Sequence, residues 1–549
     1  MKTLIIFIIA HCAGHNNAQQ TVGLFQNDSL SFNGYTLWSP NKSTYLVDNC
    51  GYLVNEWQSN YSPGLSAYLL DNGHLLRTGV LPSSFNGAGQ GGLIEEFDWE
   101  GKLVWSYRVA NDSVHQHHDI EPMPDNNVLV LAWERKTPDE VSVAGGIRRI
   151  SYWPEHILEL KKIGSDSAEV VWEWHQWDHL VQDHDSTKNN FGVVSEHPEL
   201  LNINYKPPAG RPDWQHFNSV FYNEERDEIV LSSRNMNEIY IIDHSTTTSE
   251  TAGHTGGDKG KGGDFLYRWG NPEVYNRGTS ASRKLYGQHD ARVIPGEYPD
   301  EGSMTIFNNG AGRPGGNYSS IDLIIPPLDE DGHYIIPDSM PLGPDFIHWQ
   351  YISPEPDDFY SNNMGGAQRL ANGNTIICEA NKGNFFEVTR QGEQVWRYRN
   401  TAGAGGPFTQ GQSGGFGFST SVFKVLRYAP DFPGFDGKDL SPGNPIELDP
   451  IDYDCEIPGS NTTSLVNEIS EESDFEWLLE NGQILIPNNG SDHILVRVLS
   501  LNGQVIVSRK TRNQDEKIAL GELPQGIYFI NIIDLEKQVQ KSWKFSKLF

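Results

Sequence analysis

Residues 113–124 read SVHQHHDIEPMP, placing His115, His117 and His118 directly before Asp119. Imidazoles ligate metals, move protons near neutral pH and act as nucleophiles. Two further histidines stand in comparable settings: His216 in WQHFNSVFYN and His289 in YGQHDARVIP. His118 lies six residues before Pro124, His289 six before Pro295, and His216 six before Tyr222, each position marking the approach to a turn. Arg234, in LSSRN, ends the segment expected to pair with the His216 segment. Three imidazoles and one guanidinium at a single point suit a tetrahedral oxyanion, because the planar fork binds oxygen pairs bidentately. Beside a divalent cation the same guanidinium would add like charge. Three histidines are also a catalytic zinc set, so a His-ligated metallohydrolase stands as an alternative, and no metal or other cofactor is assigned. Asn218, two residues after His216, is expected on the same strand face, adding a hydrogen bond to the substrate.

Bringing distant residues together requires a closed repeat. One pattern recurs six times: an apolar strand, a Gly-containing turn and a strand carrying tryptophan. Its tryptophans are Trp57, Trp105, the pair Trp172 and Trp174, Trp269, Trp349 and Trp396. A second hairpin precedes most of these, as in YLLDNGHLLRTG and AQRLANGNTIICEA, with the turn chemistry of Asn-Gly and Asp-Asn. Two hairpins per unit make a four-stranded blade, and six units predict a six-bladed β-propeller. The sixth unit is expected to close the ring with one strand from each end, TLWSP and STSVFKVLRYAP. The first strands of all blades line a common axis, where His118, His216, His289 and Arg234 would converge. One histidine alone would be an ordinary satisfied polar group, but nothing in propeller folding calls for three. His115 and His117 read as loop or neighbouring residues. His175, His179 and His184 lie in an insertion that either caps the channel mouth or sits on the surface. Trp214 and Tyr286 are candidate ring-stacking walls.

The chain has 549 residues and a formal charge of −31, which disfavours nucleic acid as the main partner. Lys2, the apolar run from Leu4 to Ala10 and the small residue Ala18 predict a signal peptide over residues 1–18. No later apolar run is long enough to span a membrane as a helix. Beyond it remain Cys50, Cys378 and Cys455, an odd count that predicts neither a disulfide framework nor a CxxC metal site. The propeller is expected over residues 19–444 and an acidic linker over 445–473. Alternating strands return over 474–549, predicting a small C-terminal β-sandwich. The overall class is therefore all-β.

The pieces HHDIEP, HFNSV followed by SSRN, YGQHDA, the NNG after MTIF and the tail RYAPDFPGFDGKDLSPGN together resemble the arylsulfotransferase (aryl-sulfate sulfotransferase) family, over roughly residues 30–445. The resemblance implies sulfuryl transfer from a phenolic sulfate ester to a phenol in the central channel, without a nucleotide donor. No P-loop suggests such a donor either. It also implies that His289 is the covalent nucleophile, giving a sulfo-histidine and ping-pong kinetics, while His118, His216 and Arg234 hold sulfonate oxygens. The blade pattern begins by about Tyr35, so the N-terminal β-sandwich of some members is not expected, nor is a disulfide beside the His289 motif. The alternative outside enzymes is a propeller that binds a sulfated or phenolic ligand without turning it over. The tail, with its Leu-Asn-Gly turn, Leu523-Pro-Gln-Gly526-Ile-Tyr-Phe and basic last strand, is similar to the type A C-terminal sorting domain of the type IX secretion system of Bacteroidetes. That likeness implies passage across the outer membrane to a secreted or cell-surface location, with the secretion machinery as partner. An Ig-like accessory sandwich would share the fold and differ only in role.

Overall fold

The computed structural model describes residues 20–296, 298–412 and 419–457, together with the strands that follow from Leu478 onward. The predicted signal peptide lies outside the described residues. Two compact units form, Met1–Ser460 and Asn461–Phe549.

The first unit is a propeller of six antiparallel blades. Their innermost strands are Leu426–Tyr428, Pro63–Leu69, Val114–Pro122, Phe217–Asn223, His289–Val293 and Gly366–Arg369. We number the blades 1 to 6 in that order. Tight turns between third and fourth strands place Gly51, Gly101 and Gly392 at φ +80°, +82° and +84°, where a β-carbon would be strained. Apolar residues of neighbouring blades fill the wedges between them. Tyr68, Leu76, Ile94 and Trp105 of blade 2, for example, pack with Ile120, Val128, Val130 and Leu158 of blade 3. Each such side chain removed from water contributes about 1.5–3 kcal/mol.

The repeated tryptophans have a specific task. Each lies on an outermost strand and donates its indole N–H to the loop between the third and fourth strands of the next blade, or to the edge of that loop. Trp57 reaches Asp98 O (2.8 Å), Trp105 reaches Ser167 O (2.9 Å) and Trp172 reaches Thr246 Oγ1 (3.2 Å). Trp269 reaches Pro344 O (2.9 Å), Trp349 reaches Arg390 O (2.8 Å) and Trp396 reaches Asn49 O (2.8 Å). The last bond runs from blade 6 to blade 1, so the ring is complete.

TLWSP and the C-terminal segment do share a blade: Tyr35–Trp38 pairs with Leu426–Tyr428. That blade is the one carrying Trp57, however, not the sixth. Blade 6 has four strands of its own and gains a fifth, Gly23–Asn27, on its outer edge against Gln394–Arg399. Two seams therefore tie the ends of the propeller.

The odd count of distant cysteines nevertheless yields one disulfide. Cys50 and Cys455 form a disulfide with Cα atoms 5.8 Å apart, leaving Cys378 buried and free. A separation of 405 residues is no obstacle, because ring closure returns the tail to blade 1. The start of the expected linker is also packed rather than free. Ile446 is buried, Pro445 bridges Tyr52, Leu448 bridges Thr409 and the Tyr453 hydroxyl donates to Cys50 O. The second unit holds a three-stranded and a four-stranded antiparallel sheet, as a small sandwich requires. Among the described residues no helix is long and apolar enough to cross a membrane.

Candidate active site

The structure brings His118, His216, His289 and Arg234 together on the propeller axis. The His118 and His216 rings meet edge to face with centroids 4.6 Å apart. Phe423 lies 6.1 Å from His118 and 6.5 Å from His289. Arg234 follows the second strand of blade 4, its N–H bound to His216 O at 3.2 Å. Its charge helps lower the pKa of both His118 and His289.

Strand bulges aim these side chains. His118 and His216 both take left-handed backbone, φ +51° and +54°, His118 within an irregularity in the pairing with its second strand and His216 just before one. Such bulges re-aim side chains and store strain where function needs it. The turn count placed His289 at the same register, yet in blade 5 the left-handed residue is Asp290 (φ +50°), one position later. His289 thus enters from just before its bulge. Gly89 makes room for His118: a β-carbon there would fall 2.1–2.4 Å from the ring.

Each imidazole has a distinct partner. His289 Nδ1 lies 2.7 Å from Asn309 Oδ1 and 3.1 Å from Gly287 O. Asn309 uses both amide hydrogens on Ser361 O and Met364 O, each at 2.7 Å, which presents its oxygen to the imidazole. Nδ1 must then carry the hydrogen, and Nε2 the lone pair. In the resting chain Nε2 accepts the Met364 N–H at 3.1 Å. Burial, reinforced by Arg234 and His216, pushes the His289 pKa down to about 3 against the opposing pull of Asn309.

His118 Nδ1 lies 2.8 Å from His117 Nδ1, and His117 Nε2 lies 2.9 Å from Glu155 Oε2. The other Glu155 oxygen accepts the Phe217 N–H at 2.9 Å. All three groups are buried. Burial holds both imidazoles well below their ordinary pKa and Glu155 well above the carboxylate range. Neutral forms are therefore favoured along the whole line. His216 instead donates from Nδ1 to Asp213 Oδ2 at 2.6 Å.

Beneath the histidines the repeated His-Asp dipeptide finds its purpose. Lys424 Nζ binds both oxygens of Asp119 (2.9 and 2.8 Å) and the Tyr68 hydroxyl (2.6 Å), and lies 3.7 Å from Asp290. Asp290 also accepts from Arg292 Nε at 3.0 Å and from Ala367 N at 3.1 Å. One lysine from the closing blade thus anchors the residue after His118 and the residue after His289.

Other expected residues fall elsewhere. Asn218 sits within the blade 4 irregularity, so simple alternation does not carry it beside His216. Its Nδ2 donates to Gln288 O at 2.7 Å, tying blade 4 to the residue before His289. His115 and His117 lie on a strand rather than in a loop. His175 contacts Glu134 and Glu173, and His179 contacts Asp264 and Thr251, none of them groups of the axial cluster. The His184 N–H bonds Gln182. Trp214 packs on Tyr152 at 5.3 Å, and Tyr286 lies under Arg283 at 4.5 Å. Glu155, Asp213, Asn309 and Lys424 escaped sequence reasoning. Only the repeated His-Asp pairs and the second Asn of NNG were signals for any of this.

Residues 15–322 match the family described as Arylsulfotransferase (ASST), and residues 480–544 match the Secretion system C-terminal sorting domain. An arylsulfate sulfotransferase AssT from Lelliottia amnigena is 23% identical over 374 residues, covering 63% of this chain and 58% of the relative. Its namesake from Escherichia coli O6:H1 is 23% identical over 295 residues, covering 49% and 47%. The chain thus spans about half the length of the curated relatives it matches. Among solved structures, a protein of unknown function from Bacteroides caccae gives a TM-score of 0.38 at 11% identity, covering 72% of this chain and 99% of that one.

Proposed function

Since the chain belongs to the arylsulfotransferase family, we propose that its axial cluster moves a sulfuryl group from a phenolic sulfate ester to a phenol through a sulfo-histidine at His289. The observation that carries this reading is the Asn309 bridge, which leaves the Nε2 lone pair of a neutral imidazole as the only nucleophilic position on that ring. A bound donor replaces the Met364 N–H at Nε2. The lone pair attacks sulfur, the S–O bond to the aryl group breaks, and its electron pair leaves on the phenolate oxygen. The sulfated ring keeps its Nδ1 hydrogen and becomes cationic, which the Asn309 oxygen stabilises. Arg234 and His216 hold the sulfonate oxygens, where charge spreads in the transition state.

The leaving oxygen needs a proton, and the line Glu155–His117–His118 supplies it. When Glu155 is protonated it donates to His117 Nε2, and His117 Nδ1–H donates to His118 Nδ1. His118 then carries its own hydrogen on Nε2, which has no partner among the described residues. Giving that hydrogen to the phenolate shifts each of the others one place and leaves Glu155 as carboxylate. In the second half-reaction the acceptor phenol returns the proton along the same line as its oxygen takes the sulfuryl group and the S–N bond returns its electron pair to His289. Covalent transfer of this kind gives ping-pong kinetics.

The sorting-domain match supports export by the type IX machinery, with small aryl sulfates and phenols met outside the cell. The test of the reaction is sulfuryl transfer from 4-nitrophenyl sulfate to phenol by purified protein in chelator and without nucleotide. Labelling of the protein by donor should reach one sulfuryl group per chain and vanish in His289→Asn. Activity lost to chelator would mark a metallohydrolase. Ligand-induced thermal protection without nitrophenol release would mark a binding protein.

A further inference from the structure

We propose that the aryl part of donor and acceptor carries a second anionic group, a carboxylate or another sulfate ester, held in a cationic recess beside the axial histidines. This rests on the sulfuryl-transfer reading. The recess is an open hollow of about 780 Å³, lined by the exposed Arg148, Lys206 and Arg211 and by Asp213, Trp214 and Asn235 among others. Two of these join it to the reaction centre. Asp213 accepts from His216 at 2.6 Å, and Asn235 follows Arg234 and accepts from its Nη1 at 3.4 Å. The sulfonate site at Arg234 and His216 and the recess are thus joined through Asn235 and Asp213.

The charge pattern is the reverse of the chain's. Asp and Glu number 72 against 41 Lys and Arg, so a cation on this protein is seldom far from an acid. Arg149 pairs with Asp139. No ion pair among the described residues takes Arg148, Lys206 or Arg211. The nearby carboxylates are Asp213, whose Oδ2 accepts from His216 and whose Oδ1 has no hydrogen-bond partner, and Glu273, which accepts from the Tyr205 hydroxyl at 3.0 Å and attracts Lys206. Lys206, lying 5.3 Å over the Tyr205 ring, has its pKa lowered by burial and by repulsion from Arg283. Arg148, Lys206, Arg211 and the nearby Arg283 outnumber the two carboxylates beside them, so an anion among them relieves the remaining repulsion. A mono-anionic aryl sulfate satisfies Arg234 and leaves the recess unanswered.

The experiment compares 4-sulfooxybenzoate with its methyl ester as donors, and 4-hydroxybenzoate with its methyl ester as acceptors, following products by mass spectrometry. The acid should exceed the ester about tenfold in kcat/KM at low ionic strength, in one arm or both. The preference should shrink as salt rises toward 0.5 M, because exposed charges are screened over about 10 Å at 0.1 M. In an Arg148→Gln, Lys206→Gln, Arg211→Gln triple variant the ratio should fall to about one, with circular dichroism confirming the fold. Equal rates for acid and ester, or a preference that survives the triple variant, would overturn the proposal. Calorimetry separates this from a failure of the reaction itself. The recess predicts that 4-sulfobenzoate binds about tenfold tighter than benzenesulfonate to the wild-type chain even if no sulfuryl group moves, and equal affinities would also overturn it.

Discussion

Replacing Glu155 by Gln isolates proton delivery from everything else in the site. The carboxyl is buried, accepts the Phe217 N–H at 2.9 Å and meets His117 Nε2 at 2.9 Å. Glutamine reproduces both contacts, its oxygen toward Phe217 and its amide toward His117, so the tautomers of His117 and His118 stay as in the protonated wild type. The amide cannot give up its hydrogen, so the line can no longer pass a proton. General acid catalysis contributes about 10²–10⁴ in rate, equivalent to about 2.7–5.4 kcal/mol at 1.36 kcal/mol per decade. The loss should depend on the leaving group, since a stable phenolate needs little help in departing. With phenyl sulfate, single-turnover phenol release should fall at least ~10²-fold. With 4-nitrophenyl sulfate the fall should stay below ~10-fold, because the acid's contribution shrinks as the leaving group improves. Thermal unfolding should sit near that of the wild type. An equal loss for the two donors would mean that Glu155 only positions the histidines, and an unchanged rate with phenyl sulfate would remove the relay altogether.

Two further outcomes concern stability. His117, His118 and His289 have folded pKa values below the unfolded 6.5, that of His289 near 3, so below pH 6.5 the unfolded chain binds protons the folded chain refuses. His289 should cost about 1.4 kcal/mol per pH unit on acidification near pH 5, and His117 and His118 act in the same direction. Glu155, raised by burial, acts in the opposite sense above pH 4.5. Urea unfolding from pH 6 to 5 should therefore show a loss of stability, and His289→Asn should remove about 1 kcal/mol of it. A slope unchanged in that variant would contradict the buried neutral ring. Opening the Cys50–Cys455 disulfide by Cys50→Ala should remove about 2–5 kcal/mol and lower the melting temperature by several degrees, while sulfuryl transfer at 25 °C persists. Calorimetry with and without reductant checks this, and an unmoved melting temperature would show that the two β-seams alone close the ring.

The blades could be read directly because their causes are local. Alternating strands, turn residues and a recurring tryptophan depend on neighbours a few positions away, and the tryptophan marked a contact that every blade makes with the next. The histidines could be nominated for the same reason, since each sits near a turn whose distance can be counted. Counting failed where the backbone departs from regular pairing. A bulge moves a side chain to another face without altering residue order, which is why Asn218 left the expected face and His289 entered one position before the left-handed residue.

Tertiary structure alone decided the partners. Glu155 opens an ordinary-looking strand, EHILEL, and meets His117 only because the third strand of blade 3 carries it there. Asn309 fixes the Nδ1 hydrogen of His289 through two carbonyls of the next blade, more than fifty residues away in sequence. Lys424 and Cys455 reach blades 1, 2, 3 and 5 only after the ring has closed. Local spacing can specify strands and turns because those forces act over a few bonds. The state of a buried imidazole depends on which dipoles and charges surround it, and those arrive from segments the chain brings together only when folded.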